Sequence, residues 1–272
     1  MSTDEIFEVW DKAMLMDPAV EILCELRTRS KQVDTPPEVK EAIDKVLTTM
    51  AMRDTYCRKM TMPDSASTRM ISKETFAMPW SQLFREGKVF TEFNPFYQSG
   101  PGQGQFLQFL IRMQKATRVL EIGMFTGYVA MAMAEALPED GVVVTCELEP
   151  YLVATAKETF RGLPCGEKID IRQGPATDTL DALAEEGQQF HLVYLDADKE
   201  GYLGYYKKLL DNQLLAPGAT LVVDNTFEFG TAYTKSNTVM DQFNIAVMQD
   251  DRVEQILLPL LDGVSLIRRK GE

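Results

Sequence analysis

From residue 118 to residue 224 the chain alternates short runs that are mostly apolar, or apolar at every second position, with longer stretches in which apolar residues recur every three or four positions. The runs fall at 118–122, 142–147, 169–173, 191–196 and 220–224, and the amphipathic stretches lie between them near 127–137, 150–161, 176–186 and 201–213. A two-residue period or a solid apolar run reads as strand, and a 3.6-residue period as helix. Regular alternation of the two predicts a parallel, doubly wound sheet. The end of the chain breaks the rhythm. Gln255 to Leu260 and Val264 to Ile267 flank Leu261-Asp262-Gly263. Asp-Gly between two apolar runs predicts a hairpin, so the sheet closes antiparallel.

Upstream the pattern is helical. Asp4 to Met16 and Pro18 to Lys31 carry apolar residues at helical spacing. Thr35-Pro36-Pro37-Glu38 is a helix-start signal, with Thr35 as the cap and early prolines, and that helix runs to about Cys57. Lys59 to Thr75 is polar and contains Pro63-Asp64-Ser65, which predicts a loop. A short helix follows near Pro79 to Glu86. Residues 95–104 are rich in Gly, Gln and Ser, and Gln105 to Met113 is helical again. The expectation is a helical extension over 1–95 and an α/β domain over 96–272.

Chemistry concentrates at strand ends. Arg118-Val119-Leu120-Glu121-Ile122 is followed by Gly123-Met124-Phe125-Thr126-Gly127 and a helix of small residues. The two glycines allow a tight turn and close approach of a ligand. The spacing is E-x-G-x-x-x-G, not the G-x-G-x-x-G of dinucleotide dehydrogenases. Glu147 ends the second strand, 20 residues after Gly127. An acid there accepts both hydroxyl hydrogens of a ribose, or stands as a solvated strand-end group. The fourth strand leads into Asp196-Ala197-Asp198-Lys199 and the fifth into Asp224-Asn225. Ligands bind at the carboxyl ends of such strands, where Asp196, Asp224 and Asn225 converge if the two strands are neighbours. Two carboxylates and an amide oxygen suit magnesium or calcium; the alternative is that these groups cap the following helices. His191 begins a strand, at the far end from the crevice, and reads as structural. Tyr202, Tyr205 and Tyr206 on the next helix read as core.

The composition narrows the partners. The chain has 272 residues, a net charge of −13 and 45% hydrophobic residues. Such acidity argues against nucleic acid and anionic membrane as general partners, because both are polyanions. Four cysteines without C-x-x-C spacing and a single histidine leave no zinc-ligand set. Reduced thiols predict a cytoplasmic setting. The first 30 residues carry acids throughout, which is not the pattern of a signal peptide. No run approaches the roughly 18 apolar residues of a membrane span.

These pieces together resemble a known family. Gly104 to Leu107, Leu120 to Tyr128, Ala132 to Gly141, Gly174-Pro175-Ala176, Leu195 to Lys199, Asp224-Asn225-Thr226 and Leu258 to Arg269 are similar to the cation-dependent O-methyltransferases that use S-adenosylmethionine, the caffeoyl-coenzyme A and catechol type. The resemblance covers the chain from about residue 100 onward, in the family's order. The extension and Met124-Phe125-Thr126-Gly127 also resemble the enzymes that methylate a cyclohexenone precursor of mycosporines. The resemblance implies a seven-stranded Rossmann-like sheet, S-adenosylmethionine as cofactor, a divalent cation (magnesium, manganese or calcium) and a homodimer. By that resemblance Glu121 lies beside the methionine part of the cofactor, and Gly123 and Met124 line its loop. Glu147 binds the ribose, Pro175 and Ala176 flank the adenine, Asp198 lies near the cofactor, and Ser99 approaches the sulfonium. Asp196, Asp224 and Asn225 match the metal ligands, and Lys199 matches the general base.

Two departures stand out. Val129 replaces a serine that bonds the cofactor carboxylate in the family. Phe229 stands where plant enzymes carry a substrate-contacting asparagine, and the following segment, Thr231 to Thr238, is shorter. The resemblance therefore points away from a coenzyme A ester, towards a smaller catechol or enediol acceptor. Three other readings are weighed against it. A nicotinamide-dependent dehydrogenase requires a G-x-G-x-x-G loop. A non-catalytic subunit that binds S-adenosylmethionine requires neither Asp196 nor Lys199, and an interaction module requires none of these residues.

Overall fold

The structure, a computed structural model, describes residues 17–272. The helix expected over Asp4 to Met16 lies outside the described residues. The sheet has seven strands: β1 (Arg118–Ile122), β2 (Val142–Glu147), β3 (Ile169–Gln173), β4 (Phe190–Leu195), β5 (Leu215–Val223), β6 (Val253–Leu258) and β7 (Val264–Arg269). Their order is β3-β2-β1-β4-β5-β7-β6. The first five are parallel; β7 runs antiparallel to both β5 and β6.

Side chains alternate across the sheet and split the core into two layers. Leu120, Ile122, Val193, Leu195, Leu221 and Val223 point to one face. There they meet α8 (Ala176–Glu185), α9 (Tyr202–Asp211) and α10 (Val239–Met248). Val119, Val143, Leu192, Tyr194 and Val222 point to the other face. They meet α5 (Pro101–Gln114), α6 (Tyr128–Ala136) and α7 (Pro150–Arg161). Helix α6 is buried through nearly its whole length, which its Ala and Met content permits. Leu195 is fully buried, and truncating such a leucine to alanine typically costs ~2–5 kcal/mol.

Upstream, α1 (Pro18–Gln32) and α2 (Pro37–Met60) form a hairpin over a small core of Val20, Leu47 and Ala51. Thr35 does not cap α2. Pro36 occupies the cap position without a side-chain bond, and the Thr35 hydroxyl donates to the Val33 carbonyl at 3.4 Å instead. The segment expected as a loop, Lys59 to Thr75, is corrected over most of its length. The last residue of α2 is Met60, and Ser65 caps a helix, α3 (Ala66–Ala77), by accepting from the Thr68 N–H. The inward face of α3 carries Ser67, Thr68, Ile71 and Thr75, so its burial uses hydroxyls rather than an apolar stripe. Ser65 donates to Glu135 at 2.6 Å, and Thr75 donates to Thr126 at 2.8 Å, which fastens α3 to α6 and the loop before it. Helix α4 (Trp80–Arg85) follows. Strand β5 begins at Leu215, five residues before the expected start. Pro217 and Gly218 obscure its first half, and the β4–β5 register shifts there.

Candidate active site

The strand order reverses between β1 and β4, and at such a switch point the loops leaving the two strands diverge and leave a crevice. Gly123 (φ 100°) turns the chain out of β1. A Cβ at this position would lie 2.1 Å from the Asp196 carbonyl oxygen, so only glycine lets the loops from β1 and β4 pass. The crevice has a volume of about 950 Å³, near the top of the ~300–1,000 Å³ span of ligand pockets. Ser99, Glu121, Gly123, Met124, Glu147, Pro175, Ala176, Asp196, Asp198, Lys199, Asp224 and Asn225 all line it. The fold thus brings the residues that the resemblance points to around one cavity.

On the β1–β2 side, acids meet backbone donors. Glu147 Oε2 accepts the Phe125 N–H at 2.8 Å, and Oε1 accepts the Glu149 N–H at 2.8 Å. Burial raises the Glu147 pKa, and these N–H groups partly oppose the rise. Glu121 is fully buried. The Thr145 hydroxyl donates to its Oε2, while its Oε1 has no partner among the described residues. Burial pushes its pKa well above the usual range, against the Thr145 bond. Glu121 lines the crevice, and an unpaired buried oxygen in such a place calls for a donor. Pro175 precedes α8 and Ala176 begins it.

On the β4–β5 side, side chains hold one another. Tyr194 and Asp196 are two residues apart, so they share a face of the strand end. The Tyr194 hydroxyl donates to Asp224 Oδ2 at 2.7 Å and lies 3.4 Å from Asp196 Oδ2. Ser99 Oγ and Gln103 Nε2 approach the same hydroxyl, at 3.4 and 3.3 Å. The Asn225 N–H donates to Asp224 Oδ1 at 2.8 Å. Burial, reinforced by the charge on Asp196, raises the Asp224 pKa to about 7. Asn225 adopts a left-handed backbone (φ 54°), which asparagine tolerates. The Lys199 ammonium donates to Asp196 Oδ1 and Asn225 Oδ1, both at 3.0 Å, and to the Tyr202 hydroxyl at 2.5 Å. Asp198 stands slightly apart, accepting from Tyr205 at 2.6 Å and capping the turn at Gly201.

Some lining residues carry no sequence signal of their own. Tyr194 was legible in principle from its two-residue offset to Asp196. Gln103, 1% exposed, also lines the crevice, and its Oε1 has no partner among the described residues. Phe93, Phe96 and Tyr97 enter the crevice from the segment before α5. Phe229 lines it too; its N–H donates to Asp262 at 2.9 Å. His191 lies at the opposite end of β4, its ring nitrogen accepting from the Thr117 and Arg118 N–H groups.

An O-methyltransferase family model matches residues 77–270. The chain belongs to this O-methyltransferase family. Among curated relatives, it is 38% identical to caffeoyl-CoA O-methyltransferase 2 of Zea mays over 188 residues, covering 61% of this chain and 68% of that one. It is 34% identical to caffeoyl-CoA O-methyltransferase 1 of Eucalyptus globulus over 180 residues, covering 61% and 72%. Among solved structures, the SAH-bound methyltransferase PaMTH1 of Podospora anserina aligns with a TM-score of 0.70 and 28% identity, over 82% of this chain and 95% of that one. TomG of Streptomyces achromogenes, involved in tomaymycin synthesis and solved with SAM, aligns at 0.66 and 26%, over 81% and 96%. The family match begins at Met78's neighbour Ala77 and so takes in α4 and the aromatic segment as well as the sheet.

Proposed function

We propose that this O-methyltransferase moves the methyl group of S-adenosylmethionine onto one oxygen of a small catechol or enediol acceptor, with a divalent cation at Asp196, Asp224 and Asn225. One observation carries the reading: a single crevice holds a buried acid suited to a ribose on its β2 side and an acid–amide–lysine cluster on its β4–β5 side. The relatives that share this architecture include proteins solved with SAH and with SAM.

The donor set fits a hard cation. Among the described residues no group of three His, Cys, Asp or Glu side chains is placed to hold a metal. The cluster here is two carboxylates plus an amide oxygen, and two of the three, Asp196 and Asn225, already turn an oxygen to a positive group, the Lys199 ammonium. When bound, a divalent cation supplies Lewis acidity that lowers the pKa of the acceptor hydroxyls. S-adenosylmethionine supplies the methyl sulfonium. The chain's own residues do the remainder. Glu147 accepts the ribose hydroxyls and Glu121 offers a buried oxygen to the amino-acid end. Pro175 and Ala176 bound the adenine. Ser99 and Gln103 border the reacting centre beside Tyr194, and Lys199 takes the proton from the attacking hydroxyl. Phe96, Tyr97 and Phe229 add aromatic side chains to the crevice lining, which favours a compact, weakly polar acceptor, the cyclohexenone type included.

The test uses the purified protein with S-adenosylmethionine, Mg²⁺ or Mn²⁺ and a panel of catechols and enediols, with product mass as the readout. Methylated product should form, vanish in excess chelator and return when the cation is restored. Full activity in chelator would overturn the cation assignment. A panel giving no product with either metal would overturn the acceptor class.

A further inference from the structure

The loop that orients Glu147 is held by residues far from it in sequence. Phe125 sits in the left-handed region, φ 54°, a conformation a bulky residue keeps only when its surroundings impose it. Those surroundings come from the segment before α5. The Phe125 ring stacks on Trp80, with centroids 5.4 Å apart and planes at 29°. Phe93 and Tyr97 close around it at 5.6 and 6.2 Å. Trp80 is itself fixed. It is 5% exposed, and its indole N–H donates to the Thr75 carbonyl at 3.0 Å. The next loop residue, Thr126, receives the Thr75 hydroxyl at 2.8 Å. The Phe90 N–H donates to Glu149 at 2.6 Å, just beyond Glu147. The strained residue is also the donor: it is the Phe125 N–H that bonds Glu147 Oε2 at 2.8 Å.

We infer that Trp80 is a positioning residue for the ribose-binding acid. It stacks on Phe125, keeps that backbone left-handed, and so keeps the Phe125 N–H aimed at Glu147. The helical segment before the α/β domain is then part of the adenosine site rather than an ornament beside it. The inference rests on the assignment of Glu147 to the ribose. Without the stack, Phe125 relaxes to an ordinary backbone conformation and Glu147 loses a donor. Ligand binding must then restore both. A strain of this kind corresponds to roughly tenfold to a hundredfold in affinity.

The experiment is a double-mutant cycle on the full chain, read by titration calorimetry with S-adenosylhomocysteine. It compares wild type, Trp80→Ala, Glu147→Ala and the double variant. Both single variants should bind more weakly, Trp80→Ala by roughly tenfold to a hundredfold. The double variant should bind no more than about twofold worse than Glu147→Ala alone, because Trp80 acts through the acid already removed. Trp80→Phe retains a stacked ring and should stay within about threefold of wild type. Trp80→Leu fills the same site without stacking. It carries the cycle if the alanine variant does not fold, with unliganded thermal unfolding as the check. Losses that simply multiply, or an unchanged dissociation constant for Trp80→Leu, would overturn the role of Trp80 while leaving the ribose assignment standing. A Glu147→Ala variant that binds as wild type would overturn the ribose assignment itself, and this inference with it.

Discussion

The acids on the two sides of the crevice occupy equivalent places, the carboxyl ends of parallel strands, yet they are held by different means. Glu147, the last residue of β2, is gripped by the backbone N–H groups of Phe125 and Glu149. Asp224, after β5, takes one bond from the backbone of Asn225 and one from the Tyr194 hydroxyl, and it shares its surroundings with Asp196 and Lys199. Burial raises the pKa of both. An acid gripped by backbone is fixed by the fold and answers mainly to changes that move the loop. Acids gripped by side chains are coupled to one another, so a single substitution reaches the whole cluster. The first arrangement suits recognition of an invariant ligand part, and the second suits chemistry in which charge and protons move.

The sharpest break of that comparison is at Lys199. Lys199→Met keeps much of the bulk and removes the amine. Turnover should fall about 10²–10⁴-fold, the usual worth of a general base, while the dissociation constant for S-adenosylhomocysteine stays put. Raising the pH should restore part of the rate by supplying the oxyanion directly. A pH–rate profile of both proteins checks this; a variant within a few-fold of wild type at every pH would rule out Lys199 as the base. On the other side, Glu147→Ala should weaken S-adenosylhomocysteine by roughly 2–4 kcal/mol, the worth of hydrogen bonds to a charged group. Calorimetry reads it, and an unchanged constant would leave Glu147 without a ligand role.

Tyr194→Phe separates the two grips more finely. It leaves the ring in the core and removes the hydroxyl that donates to the buried Asp224. Thermal unfolding should report a loss of about 1.5–3 kcal/mol, with no change in S-adenosylhomocysteine affinity. A loss of affinity instead would show that the two sides are not independent.

The smallest effect comes from a carboxylate outside the crevice. Asp250 is paired with Arg252 at 2.8 Å, and that bond holds its pKa below the usual carboxylate range. A folded-state pKa that is depressed adds stability above the unfolded pKa of ~3.9, and that stability is lost as the pH falls through the folded value. Arg252→Gln should therefore lower stability at neutral pH by a small amount, since largely exposed pairs contribute little, and the difference from wild type should vanish as the pH falls through the folded value. Acid titration followed by circular dichroism checks the direction. Glu121, Glu147 and Asp224 in the crevice, whose pKa values are raised, carry the opposite sign.

Much of this molecule is written locally in its sequence. The parallel strands fall within a residue or so of their expected spans, except where Pro217 and Gly218 hide the start of β5, because the central ones are buried on both faces and mostly apolar, while the edge strand β3 alternates. The terminal acids were legible for the same reason: a polar residue at the end of such a run marks where the strand leaves the core. Helix α3 was not legible, since its buried face is made of Ser67, Thr68 and Thr75 rather than an apolar stripe. Its hydroxyls are satisfied by partners such as Thr126, which only the folded chain brings near. Tertiary structure alone decided that Lys199 would reach both Asp196 and Asn225, and that Trp80 would stack on Phe125, 45 positions along the chain. Periodicity records which residues leave water. It does not record which of them meet, because that depends on how the loops pass one another at the switch point.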